Sequence, residues 1–186
     1  MSLWREWLAR RALRTRARAY VRALCAEPTT DDVAWLAANG TGGDADHARW
    51  ELRYARHALG LLAAQRDALD DKTASAVAHA LGAALARDPS IAAGKLRVAE
   101  RQLNARLRAY ADALSNREGA GTGWHLGRTL IEFAGRGESV PADVIAHAGD
   151  ILARYLTEAN SALRDSFGAA ALPDDVAPSA LRSTAR

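Results

Sequence analysis

The chain has 186 residues, 49% of them hydrophobic and 25% charged, with a formal net charge of +3 and one cysteine. That length suits a single domain with a closed core, while the lone Cys25 excludes an intrachain disulfide and a thiolate zinc site within one chain. No apolar run approaches the roughly 20 residues that span a bilayer, and the start lacks the apolar stretch of a secretory peptide, so a soluble protein of a reducing cytoplasm is expected.

Forty-four residues are Ala, nearly half of the hydrophobic fraction, and aromatics make up only 6%. Ala is the best helix former, and the scarcity of β-branched residues points the same way. Because Ala buries little area, its helices must approach closely for a core to hold. Charge is also segregated. Residues 1–26 carry seven Arg against Glu6 alone, +6 in all, and the remainder of the chain carries −3. A basic arm on a mildly acidic body is the clearest functional signal in the composition.

The first helix is predicted over 3–26, ending before Pro28. On it Arg10, Arg11, Arg14, Arg18 and Arg22 share a sector of about 120°, continued toward the N-terminus by Trp4 and Trp7. Leu8, Ala12, Leu13, Ala19, Tyr20 and Leu24 fill the opposite side, with Arg5 and Arg16 intruding on it. Trp beside Arg suits a lipid headgroup layer, and the same row suits nucleic-acid phosphates with Trp available for stacking. The plainer reading is a bundle helix whose Arg row meets acids of a neighbour or a partner chain. Nothing here resembles a helix-turn-helix reader.

Thr30 is expected to cap a short second helix with Asp31 and Asp32 in its first turn, stopped by Asn39-Gly40. After a Gly-rich turn, Asp44 or Asp46 opens a third helix running to about Asp71. Its polar sector holds Arg49, Arg53, Arg56 and Asp67, opposite Trp50, Leu52, Tyr54, Leu59, Leu61 and Leu62. His47 and Glu51 fall inside the apolar sector four residues apart, with Gln65 on the same side, and are candidates for buried polar groups. A buried carboxylate beside an imidazole is one way acid/base groups are tuned. The alternative pairs Glu51 with an Arg of the first helix and leaves His47 to cap the helix start.

Thr73 is expected to cap a fourth helix ending before Pro89, and Ser90 a fifth running to about Asn116. The fifth carries Leu96, Ala99, Leu103, Leu107, Tyr110 and Leu114 at three- and four-residue steps, a bundle stripe. A sixth, short helix ends at Ala134 before Gly135, and its His125, Arg128 and Glu132 read as a solvated face. Ser139 and Pro141 open the last long helix, which closes near Gly168 with the stripe Val144, Ala148, Ile151, Tyr155, Ala159 and Leu163. Asp143, His147 and Asp150 lie away from that stripe, so they read as a solvated face rather than a metal site. The loops around Gly40 and Gly121 follow helices rather than strands and carry no Gly-Lys-Ser/Thr, so both are linkers.

The predicted fold is an all-α multi-helix bundle of about seven helices, four of them long, joined by short loops. Residues 1–168 form one helical domain and 169–186 a flexible tail. The expected function is non-enzymatic: a helical interaction or scaffolding protein that contacts a protein partner, or a second copy, through Trp4, Trp7 and the Arg row. A nucleic-acid or anionic membrane-surface binder using the same row is the first alternative. A small helical enzyme or metal protein using His47 and Glu51 is the second. No cofactor, metal or catalytic set is expected.

Overall fold

The computed structural model describes residues 3–67, 71–116, 119, 121–137 and 139–168. Seven helices account for most of them: α1 (Leu3–Leu24), α2 (Thr30–Asn39), α3 (Ala45–Asp67), α4 (Asp71–Leu85), α5 (Leu96–Ser115), α6 (Thr122–Phe133) and α7 (Ala142–Phe167). Four of these, α1, α3, α5 and α7, have 20 or more residues, and no strand occurs among the described residues. None of the helices is long and apolar enough to cross a membrane. The expected tail, 169–186, lies outside the described residues.

α3 is the central helix and packs against all six others. Its small residues make that possible: Ala48, Ala55, Ala58, Ala63 and Ala64 are all buried, interleaved with Leu52 and Leu59. At Gly60 the approach of α1 is so close that a Cβ would run into the Leu24 side chain. The carbonyl of Gly60 accepts a 2.8 Å hydrogen bond from the buried Tyr20 hydroxyl, tying α1 to α3. α6 and α7 approach backbone to backbone, so that a Cβ on Gly127 would collide with the carbonyl oxygen of Ile145. This is how a core rich in methyl groups reaches close packing.

The stripes on α5 and α7 are the buried faces, with shifts at their edges. On α5, Ala99, Leu103, Tyr110 and Ala113 are buried. On α7, Ile145 and Leu152 lie deeper than Val144, because α7 is covered by α6 on one side and by α3 and α1 on the other.

Several helix boundaries differ from the sequence expectation. α1 stops at Leu24. Thr29, not Thr30, caps α2, its hydroxyl accepting from the Asp32 N–H at 3.1 Å. α3 is described to Asp67, and the expected stretch to Asp71 runs through 68–70, outside the described residues; α4 is helical from Asp71, so Thr73 is inside the helix rather than its cap. Ser90 caps nothing. Its N–H is held by Asp88 at 2.9 Å and its hydroxyl accepts from Arg53 at 2.9 Å, so residues 86–95 form turns and α5 starts only at Leu96. A serine engaged by a tertiary arginine is not available as a helix cap.

The polar sector of α3 also needs correction. Arg53 and Arg56 do not face water: Arg53 is buried against Asp88 and the Trp50 ring, and Arg56 pairs with Glu158 at 2.5 Å over the Tyr155 ring. The middle of α3 is covered by its neighbours, so the charges of Arg53 and Arg56 find partners on other segments.

Candidate anion-binding surface

Burial on α1 begins only at Ala17, with Tyr20, Val21 and Leu24 following on the inner face. Upstream of Ala17 the helix is largely uncovered, so Leu8 and Ala12, expected on the apolar side, are exposed. Among the described residues, Trp4, Trp7 and Leu8 are the large hydrophobic residues left most open, at 62%, 49% and 44% exposure. The two indoles stack on each other with centroids 5.2 Å apart and planes 21° from parallel. The guanidinium of Arg11 lies 5.4 Å from the Trp7 ring centre.

Arg10, Arg11, Arg14, Arg18 and Arg22 are all exposed. Among the described residues no carboxylate lies within ion-pairing distance of any of them. Four acids of the body are engaged elsewhere: Asp32 by Arg154, Glu51 by Arg106, Asp88 by Arg53 and Glu158 by Arg56.

α4 supplies the second half of this surface. Val77, Leu81 and Leu85 turn inward, leaving Lys72 and His79, with Arg87 in the turn just past the helix, beside α1. Between the two helices runs a groove of about 720 Å³. Arg10, Arg14 and Arg18 line one wall, Lys72 and Arg87 the other, and Leu13, Ala76, Ala80 and Ala83 form an apolar floor. Asp71 is the sole carboxylate among the described residues of the lining. Glu27, just past α1, and Asp88, just past α4, both meet the Arg53 guanidinium. The two packed helices therefore end side by side and run in the same direction, which places Lys72 near the tryptophan end and Arg87 near the other.

The α3 candidates form a different kind of arrangement. Glu51 is 3% exposed and accepts from Arg106 Nε at 2.9 Å and from Arg106 Nη2 at 2.5 Å. Arg106 belongs to α5, so the expected pairing with an α1 arginine is not the one formed. The same guanidinium lies over the Phe133 and Tyr54 rings, at 4.3 and 5.1 Å. His47 Nε2 is 3.3 Å from Glu51 Oε1, but its side chain is half-buried. It does not cap the helix: Asp44 Oδ1 accepts from the N–H groups of Asp46 and His47 at 3.0 and 2.9 Å. Gln65 is exposed and apart from both. Asp143, His147 and Asp150 are exposed, with the His147 ring against Trp35 at 4.4 Å. Arg128 pairs with Glu132 on the surface of α6 at 2.8 Å. Among the described residues no group of three or more His, Cys, Asp or Glu is placed to hold a metal ion.

One buried group was not singled out from the sequence. His57, one turn beyond Arg53, is 2% exposed, and neither ring nitrogen has a hydrogen-bond partner. Burial, and then the positive field of Arg53 and of Arg56, pushes its pKa down to about 4 against a smaller opposing effect of Asp88. Cys25 lies in the same field, its pKa raised by burial with Arg53 opposing. The α4 wall of the groove was missed as well. Lys72, on the Ala-rich α4, and Arg87, in the turn just past its end, are fifteen residues apart, and only the packing of α4 along α1 brings them to one groove.

In comparisons with protein-family models, curated proteins and solved structures, nothing matched the chain.

Proposed function

We propose that this protein is a non-enzymatic binding module whose first helix presents a row of guanidinium groups to an acidic macromolecule. The observation that carries this reading is the state of Arg10, Arg11, Arg14, Arg18 and Arg22: exposed, and without a carboxylate partner among the described residues. Elsewhere in the molecule Arg53, Arg106 and Arg154 each find an acid on another helix or loop. A fold that pairs those arginines and leaves a whole row open holds positive potential at one edge, which draws in and orients a negatively charged partner.

The competing acid/base reading of His47 and Glu51 has less support. Both Glu51 oxygens accept from Arg106, so the carboxylate is engaged as a structural ion pair and is poorly placed to take a proton from a substrate.

The test uses the full chain and a triple variant, Arg10→Ser, Arg14→Ser, Arg18→Ser, against three anionic probes: a short single-stranded oligonucleotide, vesicles containing phosphatidylglycerol, and poly-glutamate. The expected result is binding of at least one probe that weakens with salt and is lost in the variant. Wild-type protein that binds none of them at low salt, or a variant that binds as well as wild type, overturns the reading.

A further inference from the structure

We infer that the groove between α1 and α4 is a track for a single-stranded nucleic acid, its phosphates held between the two basic walls and its leading bases against Trp4 and Trp7. This deepens the proposed function and rests on it, adding α4 as a second contact element and naming the ligand class.

Shape argues first. The cations stand on two walls above an apolar floor of Leu13, Ala76, Ala80 and Ala83. A lipid surface is flat and would touch the rims only. A duplex is too wide to enter between two packed helices, whose axes lie about 8–10 Å apart. A single strand is narrow and flexible enough to lie along the cleft.

Spacing and chemistry agree. Arg10, Arg14 and Arg18 follow one another at four-residue steps, a rise of about 6 Å each, comparable to the reach of one nucleotide in an extended strand. α1 carries arginine and no lysine, and the guanidinium fork can take two oxygens of one phosphate at once. Among the described residues, the groove lining sets four arginines and Lys72 against the carboxylate of Asp71.

The tryptophans supply what a purely electrostatic cleft lacks. They stand one turn upstream of Arg10, stacked and exposed, at the end of the groove that Lys72 marks. Successive bases stack on exposed aromatics without regard to sequence, and the combination of a basic groove with such a platform is how single strands are held non-specifically. An acidic peptide would use the cations but has no need of an exposed, stacked indole pair.

The experiment measures anisotropy of a labelled oligothymidylate of about 12 nucleotides with the full-length protein. If five phosphates are neutralised, the slope of log K against log salt is about −3.5, so that affinity falls about 100-fold between 50 and 200 mM. The pair Lys72→Ser, Arg87→Ser, which leaves α1 intact, should weaken binding at least about tenfold and flatten the slope by about 1.4. Asp71→Asn should tighten binding, an effect no loss of folding can mimic. Trp4→Leu with Trp7→Leu should abolish the ligand-induced quenching of tryptophan emission. Oligonucleotide binding indifferent to the α4 pair and to Asp71→Asn overturns the groove while leaving the α1 row as a contact. Binding of vesicles or poly-glutamate but not of oligonucleotide overturns the ligand class. Absence of binding to any probe overturns the proposed function together with this inference.

Discussion

Arg106 reaches Glu51 across 55 residues of sequence and grips both carboxylate oxygens, at 2.9 and 2.5 Å, in a site where the Glu51 side chain is only 4% exposed. The guanidinium also lies over the Phe133 and Tyr54 rings, so the pair fastens α3, α5 and α6 together. Removing one partner strands the other in a medium of low polarizability. Arg106→Met should therefore destabilise the protein by about 3–5 kcal/mol, whereas replacing both Glu51 and Arg106 with Met should cost far less. Urea denaturation of the two single variants and the double variant checks this. Equal losses in the Arg106→Met and double variants would show that packing, not charge pairing, sets the stability here.

His57 makes stability depend on acidity. Its folded-state pKa, about 4, lies below the roughly 6.5 of an unfolded imidazole. As pH falls below about 6.5 the unfolded chain takes up a proton that the folded chain, with Arg53 and Arg56 beside the ring and Asp88 only partly offsetting them, resists. Stability is therefore full above about pH 6.5 and is lost progressively as the pH drops toward 4, by about 2 kcal/mol at pH 5. His57→Phe should remove that part of the acid loss with little change at pH 7, since neither ring nitrogen is hydrogen-bonded. Denaturation midpoints at pH 7 and pH 5 decide it: the variant should show the smaller difference between them.

Two glycines should answer oppositely to the same change. Gly127 faces α7 so closely that a methyl group meets the Ile145 carbonyl, whereas a methyl at Gly82, on α4, meets nothing within 4 Å. Gly127→Ala should destabilise by about 2–3 kcal/mol, since backbone cannot move aside as a side chain can. Gly82→Ala should stabilise by about 0.5–1 kcal/mol by removing backbone freedom from the unfolded chain. Thermal unfolding of both variants measures the pair of signs. A neutral Gly127→Ala would mean that α6 and α7 can separate freely.

That contrast also marks what the sequence could reveal. Helix number and the stripes on α5 and α7 follow from local periodicity, so they were legible. The fates of Arg53, Arg56 and His57 were not, because the wheel of α3 shows a polar sector without showing that six helices surround it. Ser90 failed as a cap for the same reason: its partner, Arg53, lies 37 residues away. Of the basic surface, the α1 half could be read from the density of arginine in residues 1–26. The α4 half could not, since Lys72 and Arg87 gain meaning only through the direction in which α4 lies against α1.

The arginine row on α1 works against its own helix. Arg10, Arg14, Arg18 and Arg22 succeed one another at four-residue spacing, where like charges face each other and each pair destabilises a helix by about 0.2–0.5 kcal/mol. Among the described residues none of the four has an ion-pair partner. Replacing Arg14 with Gln removes two of these repulsions and leaves helix propensity nearly unchanged. The variant should gain about 0.4–1 kcal/mol at low salt, a gain that fades as salt screens the row, while binding to the anionic probe weakens. Paired measurements of unfolding and binding at 20 and 300 mM salt test both halves. Stability that rises while binding falls marks a surface kept for contact at the expense of the fold. If Arg14→Gln instead lowers stability, the guanidinium is already held by an acid of the same chain, and the row is a structural element rather than a docking face.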